Sequence, residues 1–284
     1  MLVLIAASAV AVEVPMLRKT LVAGNWKMNP GSLAEATELA SSLAAHEARD
    51  VIVFPPFPFA HAVTSVLGGD KVGSQDICHL DTKGAFTGEV SGPMIAALGI
   101  KTVLVGHSER RVFFGDDDDV VAAKVKQTLA LDDVTCMLCI GETRDERDQG
   151  ITVDICNVQL SKALAGIDAA LMDRVVIAYE PVWAIGTGLV CEPEVAQDTH
   201  AAIRTCLAAI YDEDIAANVR VLYGGSVSPA SVDDIMSMPD IDGVLVGGAS
   251  LVPDSFFRII RFEDPKATAI AEEGVKNIVQ PVSA

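Results

Sequence analysis

The sequence is short of positive charge: 21 lysines and arginines face 39 aspartates and glutamates, a net charge of −18. So acidic a chain repels phosphodiesters and anionic headgroups, and neither nucleic acid nor a membrane surface is expected as a partner. No basic residue precedes Arg18, so the apolar stretch 1–15 lacks the charged start of a secretory signal. It is also too short to span a bilayer. Cysteine is sparse, with six in 284 residues, which is ordinary usage for a reducing compartment and no disulfide framework. Cys136-x-x-Cys139 has zinc-like spacing, but no second pair exists to complete a site. The pair lies in the apolar run from Val134 to Ile140, and on a strand residues three apart face opposite ways. No metal is expected.

What the chain does have is apolar bulk, 50% hydrophobic residues, together with 22 glycines. That suffices for a sizeable core and argues against disorder. The length admits one large domain or two ordinary ones. Met16 is followed by Leu-Arg-Lys-Thr-Leu-Val-Ala-Gly-Asn-Trp-Lys, which reads as a normal beginning. Residues 1–15 are therefore taken first as the product of a mis-set start, then as a weak export signal, and last as a structural extension.

From there two periodicities alternate. Short apolar runs predict strands over 20–24, 51–54, 71–74, 102–105, 135–139, 174–178, 220–223 and 243–246. Between them helices are expected, the first from a Ser32-x-x-Glu35 capping box to about residue 46. Others follow over 57–67 and 91–98, then one reaching residue 131, then 153–165, 193–211, 229–236 and 253–261. The acidic run Asp116–Asp119 is read as the solvated start of a helix, where negative charge suits the dipole. Eight strand–helix units over about 250 residues, with no linker, predict a closed (β/α)8 barrel as a single α/β domain. An open doubly wound sheet is the alternative, but no G-x-G-x-x-G opens the first helix. The domain is expected over 16–262, with 263–284 an acidic, Ala-rich, loosely attached tail.

The chain is organised around Ala178-Tyr-Glu-Pro-Val-Trp-Ala-Ile-Gly-Thr-Gly188. Glu180 leaves the end of a buried strand and Pro181 fixes its direction. Val182, Trp183, Ala184 and Ile185 form an apolar middle, and Gly186, Thr187 and Gly188 a permissive end, the makings of a hinged lid. In a barrel the residues after each strand converge on one face. Those positions hold Asn25 and Lys27, Gln75, His107, Glu180, the turn Gly224-Gly225-Ser226, and the pair Gly247-Gly248. Backbone N–H groups of Gly186, Ser226, Gly247 and Gly248 can point at an anion, and loops after the last two strands commonly hold phosphate. The remaining chemistry is acid–base work: Glu180 to take a carbon-bound proton, and His107, kept neutral by the helix start at Ser108, to polarise a carbonyl. Lys27 adds positive charge for an enediolate-like transition state.

These segments resemble the triosephosphate isomerase family. The resemblance rests on Ala23-Gly-Asn-Trp-Lys-Met-Asn29, Gly84-Ala-Phe-Thr-Gly-Glu89, Gly106-His-Ser-Glu-Arg-Arg111, Cys139-Ile-Gly-Glu142, Ala178-Tyr-Glu-Pro-Val-Trp183, Tyr223-Gly-Gly-Ser-Val227 and Leu245-Val-Gly-Gly-Ala-Ser-Leu251. It implies a cytoplasmic, cofactor-independent isomerase of glycolysis and gluconeogenesis that interconverts dihydroxyacetone phosphate and glyceraldehyde 3-phosphate. It further implies Glu180 as base, His107 as electrophile, Lys27 and Asn25 binding substrate, and Glu109 with Ser108 in support. A homodimer is implied too, with the Phe86–Thr87 loop set against the partner near Asn25, Met28 and Gln75. Two departures are visible: Asp76 stands where the family has Asn, and the segment 75–84 is one residue longer. Another phosphosugar barrel enzyme, or a tethered form with a binding role, remains the alternative at this point.

Overall fold

The structure is a computed structural model that describes residues 18–44, 50–80, 82–186 and 191–263. The expectations for 1–15, for the tail beyond 263, and for Thr187 and Gly188 lie outside those residues. The strands are β1 (Leu21–Asn25), β2 (Asp50–Phe54), β3 (Gly73–Ser74), β4 (Thr102–Val105), β5 (Thr135–Ile140), β6 (Val175–Tyr179), β7 (Arg220–Tyr223) and β8 (Gly243–Val246). All pair in parallel in the order β2-β1-β8-β7-β6-β5-β4-β3, and a Val53–Val72 bridge closes the ring. The helices are α1 (Leu33–Ala44), α2 (Phe57–Leu67), α3 (Gly92–Ala97), α4 (Ser108–Phe114), α5 (Asp118–Leu129) and α6 (Arg144–Asp148). They continue with α7 (Thr152–Ala163), α8 (Pro193–Ile210), α9 (Glu213–Asn218), α10 (Val232–Ser237) and α11 (Pro253–Ile260). This is the expected (β/α)8 barrel.

Strand alternation builds two apolar layers. Leu21, Ala23, Phe54, Leu104, Met137, Cys139, Val176, Ala178, Leu222 and Leu245 fill the barrel interior. Their strand neighbours, such as Val22, Val103, Val105, Leu138 and Ile177, belong to the outer layer shared with the helices. Cys136 packs outward and Cys139 inward, as a three-residue spacing on a strand requires. Among the described residues no helix is long and apolar enough to cross a membrane.

Ser32 caps α1 through its side chain: the Glu35 N–H donates to Ser32 Oγ at 3.3 Å, and that hydroxyl donates to the Glu35 carboxylate at 2.9 Å. Two readings need correction. The helix expected to run to residue 131 is two, α4 and α5, because Gly115 takes a left-handed φ of 76° that ends the first. The acidic run divides accordingly. Asp117 caps α5 and Asp118 and Asp119 lie in its first turn, but Asp116 is buried. It bonds Lys124 at 2.5 Å and Arg110 at 3.0 Å, so it is no solvated helix start. Phe86 is half-buried beside Gly84, where a Cβ would lie 2.8 Å from its ring, while Thr87 is exposed. The short helices α6 and α9 had no counterpart in the periodicity, being too brief to display a face.

Candidate active site

The strand ends bring the site together. Glu180 is the first residue beyond β6, and its N–H donates to the Ile140 carbonyl at 2.7 Å, carrying the β5–β6 ladder one step further. Gly141 is required opposite: a Cβ there would sit 1.8 Å from the Glu180 carbonyl oxygen. The Glu180 side chain is 3% exposed. Its Oε2 accepts the Ser108 N–H at 2.8 Å and its Oε1 lies 3.0 Å from His107 Nε2.

His107 is the N-cap of α4, and its Nδ1 accepts the Glu109 N–H at 3.2 Å. That bond leaves the ring proton on Nε2, the nitrogen that faces Glu180. A helix start alone would keep this imidazole neutral, but a carboxylate competes. Burial lowers the imidazole's proton affinity, Glu180 and then Glu109 raise it, and the net direction is upward. Reciprocally, burial raises Glu180, but His107 and the Ser108 N–H outweigh it and hold the carboxyl below its usual range. The upward push on His107 belongs to this paired arrangement. Once Glu180 moves away, burial, the Glu109 N–H and the Lys27 charge favour the neutral ring, and only the Glu109 carboxylate still opposes them.

Lys27 holds a left-handed φ of 52°, uncommon for a side chain of its size. Its backbone is braced on both sides: its N–H donates to Asn25 Oδ1 at 2.9 Å, and its carbonyl accepts from Gln75 Nε2 at 2.7 Å. Gln75 also bonds the Phe54 carbonyl at 2.8 Å, so it ties β3 to β2 behind the lysine. The ammonium reaches Glu109 Oε1 at 2.6 Å.

A cavity of about 260 Å³ is lined by Asn25, Lys27, His107 and Glu180 together with Gly186, Ser226, Gly247 and Gly248. Gly248 begins a 3-10 turn, Gly248–Leu251, and the first N–H groups of any helix have no carbonyl of their own to bond. Cation, imidazole and carboxylate therefore share a small space with unpartnered backbone donors. A neighbouring cavity of about 370 Å³ also touches Asn25, Lys27 and His107 but opens toward Met28, Gln75 and Phe114.

The stretch after Glu180 differs in one respect from an apolar tip. Val182–Ala184 form a 3-10 turn in which Trp183 and Ala184 are buried, so this part is the anchored end of the loop. The Trp183 indole N–H donates to Glu142 Oε1 at 2.8 Å, and the Arg147 guanidinium lies 4.1 Å over the indole ring. Tyr179 Oη donates to the same carboxylate at 3.1 Å, and Ser226 Oγ donates to the Ala184 carbonyl at 2.8 Å. Glu142 and Arg147 carry this anchor, and reading strand ends alone passed over them. The signal was present: Glu142 stands just past β5 as Glu180 does past β6, and it is fully buried.

The model of the triosephosphate isomerase family matches residues 20–263. Triosephosphate isomerase of Roseiflexus sp. (strain RS-1) is 46% identical over 251 residues, covering 87% of this chain and 98% of that protein. The protein of the same name from Streptomyces coelicolor is 47% identical over 256 residues, with 87% and 98% covered. That of Prosthecochloris aestuarii is 45% identical over 251 residues, with 86% and 98% covered. A match from β1 to the end of α11, at such identity and through every strand end that lines the cavity, means that the chain belongs to the triosephosphate isomerase family.

Proposed function

We propose that this protein is a triose-phosphate isomerase, interconverting dihydroxyacetone phosphate and D-glyceraldehyde 3-phosphate. The observation that carries the reading is the meeting of Glu180 and His107 at 3.0 Å in a cavity that also holds Lys27 and the Gly247–Gly248 turn. Glu180 takes a proton from the carbon beside the substrate carbonyl, and the electron pair of that C–H bond moves to the carbonyl oxygen. The Nε2–H of His107 hydrogen-bonds the oxygen that becomes negative, and Lys27 stabilises the same charge and the phosphate. The hydroxyl proton on the carbon that lost its hydrogen then passes to the former carbonyl oxygen, a C=O forms in place of that hydroxyl, and Glu180 returns its proton to the neighbouring carbon. No electron leaves the substrate, so the step balances within one molecule. For this Glu180 must release Ser108 and His107 and turn into the cavity, while the loop that begins at Pro181 closes over it. Gly186, Ser226, Gly247 and Gly248 hold the phosphate through backbone N–H groups, with Asn25 beside them, and Glu109 orients Lys27.

The functional unit is a homodimer. Support comes from the second cavity beside Lys27 and from the large apolar surface around it: Met28 is 93%, Phe113 73% and Phe114 67% exposed. Such a patch on a monomer calls for a cover, and the family resemblance supplies the Phe86–Thr87 loop of a second copy. The catalytic domain spans 16–262 and works in the cytoplasm. Purified protein given glyceraldehyde 3-phosphate in deuterated water tests the reading. Product carrying deuterium at the carbon next to the carbonyl is expected; absence of turnover would overturn it.

A further inference from the structure

Pairing between β4 and β5 ends at Val105–Leu138. There Gly106 takes a φ of +74° and turns the chain away into His107, while β5 continues along β6. One side chain fills the gap. Arg111 donates from Nε to the Gly106 carbonyl at 2.8 Å and from Nη2 to the Cys139 carbonyl at 3.3 Å. Its Nη1 donates to the Asp118 carboxylate at 2.8 Å. A single guanidinium thus joins the end of β4, the neighbouring strand β5 and the first turn of α5. The fit is close: a Cβ on Gly106 would stand 3.2 Å from Arg111 Nη2 and 3.1 Å from Val121.

We infer that Arg111 is a positioning residue for the isomerisation, holding the His107–Ser108 turn in register with Glu180. The inference rests on the reading of His107 and Glu180 given under Proposed function. Helix α4 has only seven residues, too few to be stable by itself, so its placement depends on tertiary anchors. Two catalytic contacts travel with it. The Glu109 N–H that sets the His107 tautomer and the Ser108 N–H that seats Glu180 are both in its first turn. Loosening Arg111 therefore moves the electrophile and the seat of the base together, and a displacement near 1 Å can cost about 10²-fold in rate. Lysine cannot replace the arrangement, since a point charge lacks the planar fork that meets two carbonyls and a carboxylate at once.

Arg174 offers the matching control. It also gathers backbone carbonyls, those of Leu131 at 2.7 Å and Leu129 at 2.8 Å where α5 ends, but at the opposite mouth of the barrel, just before β6. Arg111→Gln, Arg111→Lys and Arg174→Gln would be compared by melting temperature, by kcat and KM, and by the 15N shifts of the His107 imidazole. Arg111→Gln is expected to lower kcat by roughly 10- to 10²-fold with KM within about 3-fold, and to move the His107 nitrogen shifts. Arg111→Lys should do the same more weakly, and Arg174→Gln should lower the melting temperature and leave kcat and the shifts alone. Unchanged kcat and shifts in folded Arg111→Lys, or equal losses of kcat in the Arg111 and Arg174 variants, would overturn the inference. If unsubstituted protein fails to isomerise the triose phosphate, the functional reading falls, while the His107 shifts still decide whether Arg111 orients that ring.

Discussion

Glu180 must supply both basicity and reach. Glu180→Asp keeps the carboxylate but withdraws it by about 1 Å, and kcat is expected to fall on the order of 10²-fold. Glu180→Gln keeps the reach and removes the base, so its kcat should fall further. In neither should KM move comparably, because the phosphate is held elsewhere. Lys27→Ala should raise KM as well as lower kcat, its charge acting on bound substrate and transition state alike. Steady-state kinetics and hydrogen exchange into substrate read all three, and near-normal exchange in Glu180→Gln would remove Glu180 from the chemistry.

A second prediction at this scale concerns Lys124, whose ammonium lies within 2.7 Å of Asp76 and 2.5 Å of Asp116 in a buried cluster completed by Arg110. Burial pushes the Asp76 carboxyl up, more than Lys124 and Arg110 pull it down. Asp116 is opposed by burial too, but its bonds to Lys124 and Arg110 prevail and hold it down. Lys124→Met strands two carboxylates beside one arginine and should cost about 3 kcal/mol near pH 7. The sign with pH follows from Asp76. A carboxyl whose folded pKa is raised adds stability below its unfolded value near 3.8 and loses it as pH rises through the folded value. The deficit of the variant should therefore shrink on acidification toward pH 4. Denaturant melts at pH 4.5 and 7 measure it, and a deficit independent of pH would exclude the cluster as its origin.

At the scale of elements, the loop between β3 and α3 carries an exposed Thr87 and a half-buried Phe86, and Met28, Phe113 and Phe114 stand uncovered on the same chain. Removing 78–88 should yield monomers, because the cavity next to Lys27 then has nothing to receive. Activity should fall sharply with it, since Lys27 in its left-handed conformation relies on bracing from Gln75, at the root of that loop. Analytical ultracentrifugation with activity assays tests both, and a concentration-independent monomeric mass for the unaltered protein would defeat the dimer.

The whole molecule is tied shut near its first described residues. Arg18 donates to Asp242 at 2.6 Å and to the carbonyls of Ala217 and Pro239, fastening the approach to β1 onto the segments that precede β7 and β8. A chain beginning at Met16 retains that fastening and should melt and turn over like the full one. Arg18→Ala should lower stability by on the order of 2 kcal/mol, leaving Asp242 with Arg204 and the Val221 N–H. Calorimetry on both variants decides, and a marked loss on removal of 1–15 would mean that those residues contribute to the fold.

The sequence by itself determined the barrel, because a strand's apolar alternation and a helix's cap are local signals that need no partner to be recognised. It also determined which residues stand at the strand ends, and Asn25, Lys27, His107, Glu180, Ser226, Gly247 and Gly248 do line one cavity. Only the tertiary structure decided what each of them touches. Glu180 meeting Ser108 and His107 spans 72 residues of chain, and no periodicity encodes such a contact. Asp116 was misread for the same reason: a run of four acids looks solvated until Lys124, eight residues on, is seen turned inward beside Asp76. Glu142 shows the limit most plainly. Its charge is visible in the sequence, but its bond to Trp183 is fixed only when β5 and β6 lie side by side, because a buried carboxylate takes its role from whichever donors the fold brings within reach.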